Sequence, residues 1–237
     1  MAIYALWSST RSRSTAFFRS MIERGDMVCS HEPFSDLTAL GETDVAGRPF
    51  TSTGEFMRWL RHDTRDIGVF IKDTPNPRHA PLVEQAWFVE HAHHTFLIRR
   101  PEEVAASFYA IEGTASAQSI GLEYVHRLWD LTRQSASVAP LVIDADDLLT
   151  RPAQTMAAWC HAAGLAFIEQ ALRWDSGDRS EWRRSARWHV DVAASDGFHG
   201  RVRRYEVTVD NSPQLAEAAA HNRPFYEALY AERLRIG

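Results

Sequence analysis

With 237 residues, 45% of them apolar and 24% charged, the chain has the balance of a globular protein with a substantial core, which excludes a disordered or fibrous one. A net charge of −5 argues against a general nucleic-acid binder, which is basic overall, but leaves room for a local anion site. Cys29 and Cys160 are too few for a disulfide framework and read as free thiols. No leader pattern and no apolar run of roughly 20 residues is visible, so a cytoplasmic protein with neither membrane nor nucleic-acid partner is expected.

In chain order, AIYALW (2–7) reads as a buried strand, STAFFRSMIERG (14–25) as a helix stopped by Gly25, and MVCSH (27–31) as a second strand. TGEFMRWLRHDT (53–64) carries Phe56, Trp59 and Leu60 at helical spacing; IGVFIK (67–72) is a third strand and APLVEQAWFVEHA (80–92) a helix. HHTFLIR (93–99) is a fourth strand, followed at once by the helix PEEVAASFYAIE (101–112), where Pro101 suits the first helical position and Glu102 and Glu103 complement the helix dipole. A long amphipathic helix over 116–136, a fifth strand PLVID (140–144) and a helix AQTMAAWCHAAG (153–164) follow. Strands alternating with helices predict an α/β fold, a central parallel sheet flanked by helices on both faces. From 174 to 204 the pattern is irregular, a lid or packing at the sheet edge, and a last helix spans 213–234. The whole reads as one domain, 1–237, with its core in 1–165.

The turn after the first strand crowds Ser8, Ser9, Thr10, Arg11, Ser12, Arg13, Ser14 and Thr15 together. Free N–H groups at a helix start, hydroxyl donors and forked guanidinium groups together suit phosphate or sulfate. The plainer reading is a capped helix, with Ser12 or Ser14 at the N-cap and the arginines in solvent. No glycine occurs before Gly25, which removes both the GxGxxG dinucleotide turn and the glycine-lysine nucleotide loop of ATP and GTP hydrolases. Any phosphate cradle here takes its cation from arginine.

TRSRST (10–15) resembles the 5′-phosphosulfate loop of sulfotransferases that use 3′-phosphoadenosine 5′-phosphosulfate (PAPS). FLIRRPEEVAAS (96–107) resembles the strand–turn–helix segment in which that family holds the 3′-phosphate, with Arg99 and Ser107 in the matching places. VIDADDLLTRP (142–152) is a softer match to a later strand and turn. The resemblance implies a P-loop-like nucleotide-binding fold, PAPS as co-substrate with no metal, and a small-molecule acceptor. It assigns Arg11, Ser12, Arg13, Ser14 and Thr15 to the 5′-phosphosulfate, and Arg99 and Ser107 to the 3′-phosphate. It departs from the family at Thr10, where proline is usual, and at Arg13, where glycine is usual. If that position needs a positive φ, an arginine is costly there.

Sulfuryl transfer needs positioning, charge stabilisation and a base for the acceptor's proton. Glu32, in CSHEPF (29–34) after the second strand, faces the crevice at the strand ends and resembles the carboxylate base of some bacterial members; His31 is the runner-up, and a plain turn carboxylate the bland reading. Lys72, ending the third strand, either contacts the transferring group or is a solvated strand-end cation. Arg11 is counted with Glu32, His31 and Lys72 among the catalytic candidates. Arg201, in RVRR (201–204), either closes over the phosphates or lies in solvent. His91, His93 and His94 are assigned to a helix end rather than to a metal. Trp174, Trp182, Trp188 and Phe198 either pack on the core or line the acceptor pocket. Three rivals stay open: a kinase-like phosphotransferase using Asp73 or Asp144 for magnesium, a nucleotide-binding relative without turnover, and a family member recruited to a different reaction. A homodimer is left open too.

Overall fold

The computed structural model describes residues 2–64, 67–79, 84–198 and 203–236. Five parallel strands, β1 (Ile3–Ser8), β2 (Met27–His31), β5 (Gly68–Asp73), β6 (His93–Ile98) and β7 (Leu141–Asp144), form a sheet in the order β2-β5-β1-β6-β7. This is the parallel α/β architecture the alternation predicts. β1 is buried along its whole length. Ile3, Ala5 and Trp7 join one core and Tyr4 and Leu6 the other, because successive strand residues point to opposite faces.

The chain leaves β1 towards β5 and β2, and later returns to lay β6 along the other side of β1. A crevice opens at the carboxyl ends of strands where the order switches in this way. The helix α1 (Ser14–Arg24) follows β1 and ends, as expected, on Gly25 at φ 71. The helix after β6, Pro101–Glu112, matches its predicted bounds.

Several elements differ from expectation. The helix α2 (Pro33–Leu40) and the hairpin β3 (Thr43–Val45)–β4 (Arg48–Phe50) fill a stretch that carries no clear period. The hairpin turns on Ala46 and Gly47, both with positive φ, a backbone suited to a two-residue turn, but Ala-Gly is a weak signature for it. The long helix over 116–136 is two helices, Ala117–Ile120 and Leu122–Ser135, parted at Gly121 with φ 78. The buried Asn222 of the last helix, Pro213–Ala231, sits at this break: its Oδ1 accepts from Leu122 N at 2.9 Å and its Nδ2 donates to Ala117 O at 3.0 Å. A short helix, Ala145–Thr150, precedes the helix Pro152–Ala162. Of the helix expected over 80–92, Ala86–His91 is helical, while residues 80–83 lie outside the described residues. No helix among the described residues is long and apolar enough to cross a membrane.

Candidate active site

The loop between β1 and α1 is built on buried hydroxyls. Ser8, Ser9 and Ser12 are buried, and Ser12 Oγ donates to Ser9 O at 2.7 Å. The hydroxyl of Thr10 bonds to Ser119 O and ties the loop to the helix pair above it. Arg11 and Arg13 both adopt left-handed backbone conformations, φ 54 and φ 67. Arg13, not Ser12 or Ser14, is the N-cap of α1, and its side chain makes no capping bond. The position where glycine is usual therefore keeps a glycine-like conformation while carrying an arginine. The arginines are not in solvent either: burial pulls both guanidinium groups below their ordinary pKa, and Arg13 Nε is buried with no hydrogen-bond partner among the described residues.

The segment after β6 meets this loop directly. Arg99 Nη1 donates to Arg11 O at 2.9 Å, and its Nε and Nη2 grip Glu103 at 2.9 and 2.8 Å. Ser107 Oγ accepts from Arg11 Nε at 3.0 Å. The guanidinium of Arg11 also donates to Trp188 O at 2.6 Å and lies 3.6 Å from Asp191, which pairs with Arg203 at 2.9 Å. Arg201 falls in 199–202, outside the described residues; Arg203 of the same run lines the cavity.

At the neighbouring strand ends, Glu32 is the N-cap of α2, again left-handed at φ 51 and again without a capping bond. Its carboxylate is paired with the buried Lys72 ammonium and accepts from Thr74 Oγ1 at 3.3 Å. Burial alone raises the Glu32 carboxyl, but the adjacent Lys72 charge and hydrogen bond overcome it and hold the group well below the usual carboxylate range. Lys72 is thus no solvated cation. His31 is buried against Phe18, Trp182 and His189 and held neutral by burial and by Lys72. It lines a second, smaller cavity with Cys29 and Asp36, and its ring lies 4.9 Å from that of His189, which bonds Thr15 of the loop.

The main cavity, about 670 Å³, is lined by the loop from Thr10 to Thr15, Glu32, Lys72, Arg99 and Ser107, a volume within the range of ligand sites. Its far wall comes from the irregular stretch, a 3₁₀ segment Ser180–Trp188 and a short helix Val190–Ala193. His189 there bonds Thr15 Oγ1 through Nδ1 at 2.9 Å and Ser185 Oγ through Nε2 at 3.0 Å, and burial pushes its pKa down to about 3. Sequence reasoning missed His189, Asp191 and the Glu32–Lys72 pair. The pair was reachable, since His31 and Lys72 are register partners on adjacent strands; the first two lie where no period exists. Trp182 is core, whereas Trp188 packs on Phe108 at 5.3 Å and Phe198 on Trp174 at 5.3 Å in the cavity wall.

The carboxylates a magnesium-dependent rival needs are committed elsewhere. Asp73 accepts from Phe34 N, Ser35 N, Ser35 Oγ and Thr74 N, fixing the start of α2. Asp144 caps the helix Ala145–Thr150 and accepts from Tyr226. His94 is locked between Trp7 Nε1 and Val89 O, and His91 bonds Trp87 O.

Comparison with known proteins agrees with this geometry. Residues 77–233 match the family model described as a sulfotransferase domain. The sulfotransferase domain of the Synechococcus PCC 7002 olefin synthase superposes with a TM-score of 0.58 at 15% identity, covering 98% of this chain and 96% of that one, and shares its fold. The Arabidopsis thaliana branched-chain-amino-acid aminotransferase-like protein 2 is 27% identical over 214 residues, 84% of this chain but only 36% of that protein's length.

Proposed function

We propose that this chain, which belongs to the sulfotransferase domain family, transfers a sulfonate from PAPS to the hydroxyl or amine of a small-molecule acceptor. The observation that carries the reading is the convergence of Arg11, Arg13, Arg99 and Ser107 on one cavity at the carboxyl ends of β1 and β6. The donor, when bound, supplies an activated sulfonate on a phosphate leaving group. In this reading the opening N–H groups of α1 and the side chains of Arg11, Ser12, Arg13, Ser14 and Thr15 hold the 5′-phosphosulfate. Arg99 and Ser107 hold the 3′-phosphate, and Arg203 adds charge in the cavity wall. The fit is supported by Arg13 Nε, a buried donor in the cavity wall with no partner among the described residues.

Glu32 is the proposed base. Its pairing with Lys72 keeps it ionised at neutral pH, the form that can take a proton as the acceptor's oxygen or nitrogen bonds to sulfur. Lys72 also brings positive charge to the cavity wall, where charge on the transferring group is stabilised.

The test is thermal stability with adenosine 3′,5′-bisphosphate against ATP plus magnesium. A ligand at 100 times its Kd stabilises by about 2.7 kcal/mol, so the bisphosphate should raise Tm by several degrees. No shift at saturating bisphosphate overturns the donor assignment, and a larger shift with ATP plus magnesium favours a phosphotransferase.

A further inference from the structure

We propose that His189 is a positioning residue for Thr15: its Nδ1–H donates to Thr15 Oγ1 and leaves the threonine hydroxyl proton free for the 5′-phosphate end of the nucleotide. The inference rests on the PAPS reading above and adds to it a residue from the far wall of the cavity. Three observations carry it.

The first is placement. Thr15 is the second residue of α1, so its hydroxyl stands beside backbone N–H groups that have no partner within the helix. His189 reaches that hydroxyl at 2.9 Å, and both residues line the main cavity. The contact belongs to a wider docking of the same segment on the loop: Trp188 O accepts from Arg11 Nη1 at 2.6 Å, and Asp191 lies 3.6 Å from the Arg11 guanidinium.

The second is that both ring nitrogens are engaged. Nδ1 meets Thr15 Oγ1, and Nε2 lies 3.0 Å from Ser185 Oγ. His189 is buried, and its ring packs against His31 at 4.9 Å and Trp182 at 5.9 Å. The imidazole turns away from Thr15 only by giving up two hydrogen bonds and this packing.

The third is the count of protons. A neutral imidazole offers one donor and one acceptor, and a hydroxyl has one proton to donate. Burial keeps His189 neutral, with its pKa down at about 3. Two arrangements then satisfy the row Ser185–His189–Thr15. In one, Thr15 spends its proton on Nδ1 and Nε2–H points at Ser185, whose own proton faces Trp182 O at 3.4 Å. In the other, Ser185 donates to Nε2 and Nδ1–H donates to Thr15. Both hold the same protons, one on each hydroxyl and one on the ring. Only the second lets Thr15 donate to an anion while both bonds to the ring persist, so a bound 5′-phosphate selects it.

The experiment measures affinity for adenosine 3′,5′-bisphosphate and for adenosine 3′-monophosphate, which lacks the 5′-phosphate, in the wild type, His189→Leu, Thr15→Val and the double variant. A hydrogen bond of this kind is worth about 2- to 10-fold in affinity. Each single variant should weaken the bisphosphate by about that factor, and the double variant no more than Thr15→Val alone. His189→Asn, which restores an N–H donor in the place of Nδ1, should recover most of the loss. The monophosphate should change by less than about 2-fold throughout, which also reports an intact nucleotide site. If His189→Leu does not fold, Ser185→Ala carries the same test from the other end of the row: it should weaken the bisphosphate when Thr15 is present and have no effect on Thr15→Val. Losses that add in the double variant overturn the inference, as do equal losses for the two nucleotides, unchanged affinity for both, or an asparagine variant as weak as the leucine one. A wild type that binds the two nucleotides equally breaks the PAPS reading itself, a result seen before any substitution is made.

Discussion

The helices that follow β1 and β2 begin alike and end up electrically opposite. Each starts on a charged residue in the left-handed region, Arg13 at φ 67 and Glu32 at φ 51, and neither side chain caps its helix. Such a backbone costs a non-glycine residue on the order of 1–2 kcal/mol. Both residues line the same cavity. Glu32, however, is already matched by Lys72, while the Nε of Arg13 has no partner among the described residues. One strained cap is complete by itself; in the proposed function the other gains its partner only when an anion arrives. Strain at a site can thus serve two ends, holding a reactive group in a fixed charge state or holding a cation ready.

The comparison breaks most visibly at Glu32. In the proposed reaction, Glu32→Gln should lower turnover by about 10²–10⁴-fold and leave bisphosphate affinity unchanged in a calorimetric titration. Unchanged turnover would remove the base from this cap altogether. Lys72→Met tests whether the cap is complete because of its partner. A carboxylate left without its buried counter-charge costs about 3–5 kcal/mol, read as a lower urea midpoint. The same change should raise the Glu32 carboxyl and move the acid limb of the pH–rate profile to higher pH; a fixed acid limb would mean that Lys72 does not set the charge of Glu32.

His189 offers a smaller effect, on the wall that ties the two ends together. Its folded pKa of about 3 lies below the ordinary 6.5, so the unfolded chain takes up the proton first as pH falls. Its contribution is fully present above pH 6.5 and is lost as pH drops towards 3. Between pH 7.5 and 5 this one group should remove about 2 kcal/mol, and His189→Gln should make the fall in stability shallower by that amount. Identical slopes would show that His189 is not held neutral. Smallest of all, Arg13→Gly should stabilise the free protein by about 1 kcal/mol, raising Tm with no ligand present, whereas a lower Tm would mean that the backbone at this cap is unstrained.

The parts legible in the sequence were those with a period or a fixed order. β1, β6 and the helix Pro101–Glu112 follow from unbroken apolar runs and Pro101. Arg99 and Ser107 could be placed near the loop because their strand lies beside β1. The conformation of Arg13 was not legible, since no propensity foretells an arginine at positive φ; only the position's likeness to a glycine raised the question. His189 and Asp191 come from a stretch whose 3₁₀ turns have non-helical breaks at Trp182 and Ser185, so no hydrophobic spacing marks which face turns inward. The split at Gly121 escaped because its cause, Asn222, is a hundred residues away. His31 shows the limit of reading strand ends alone: it is next to Glu32 and in register with Lys72, yet its ring is packed among Phe18, Trp182 and His189.

Asp191 has a further consequence. Its carboxylate lies between Arg11 and Arg203, while the carbonyl of Trp188 takes another Arg11 donor. An anion reaching Arg11 therefore arrives by exchange with a tethered rival, and as it departs the rival stands ready to return. In the proposed reaction, exchange of this kind softens the energy of both entry and exit, and so shortens the stay of a spent nucleotide.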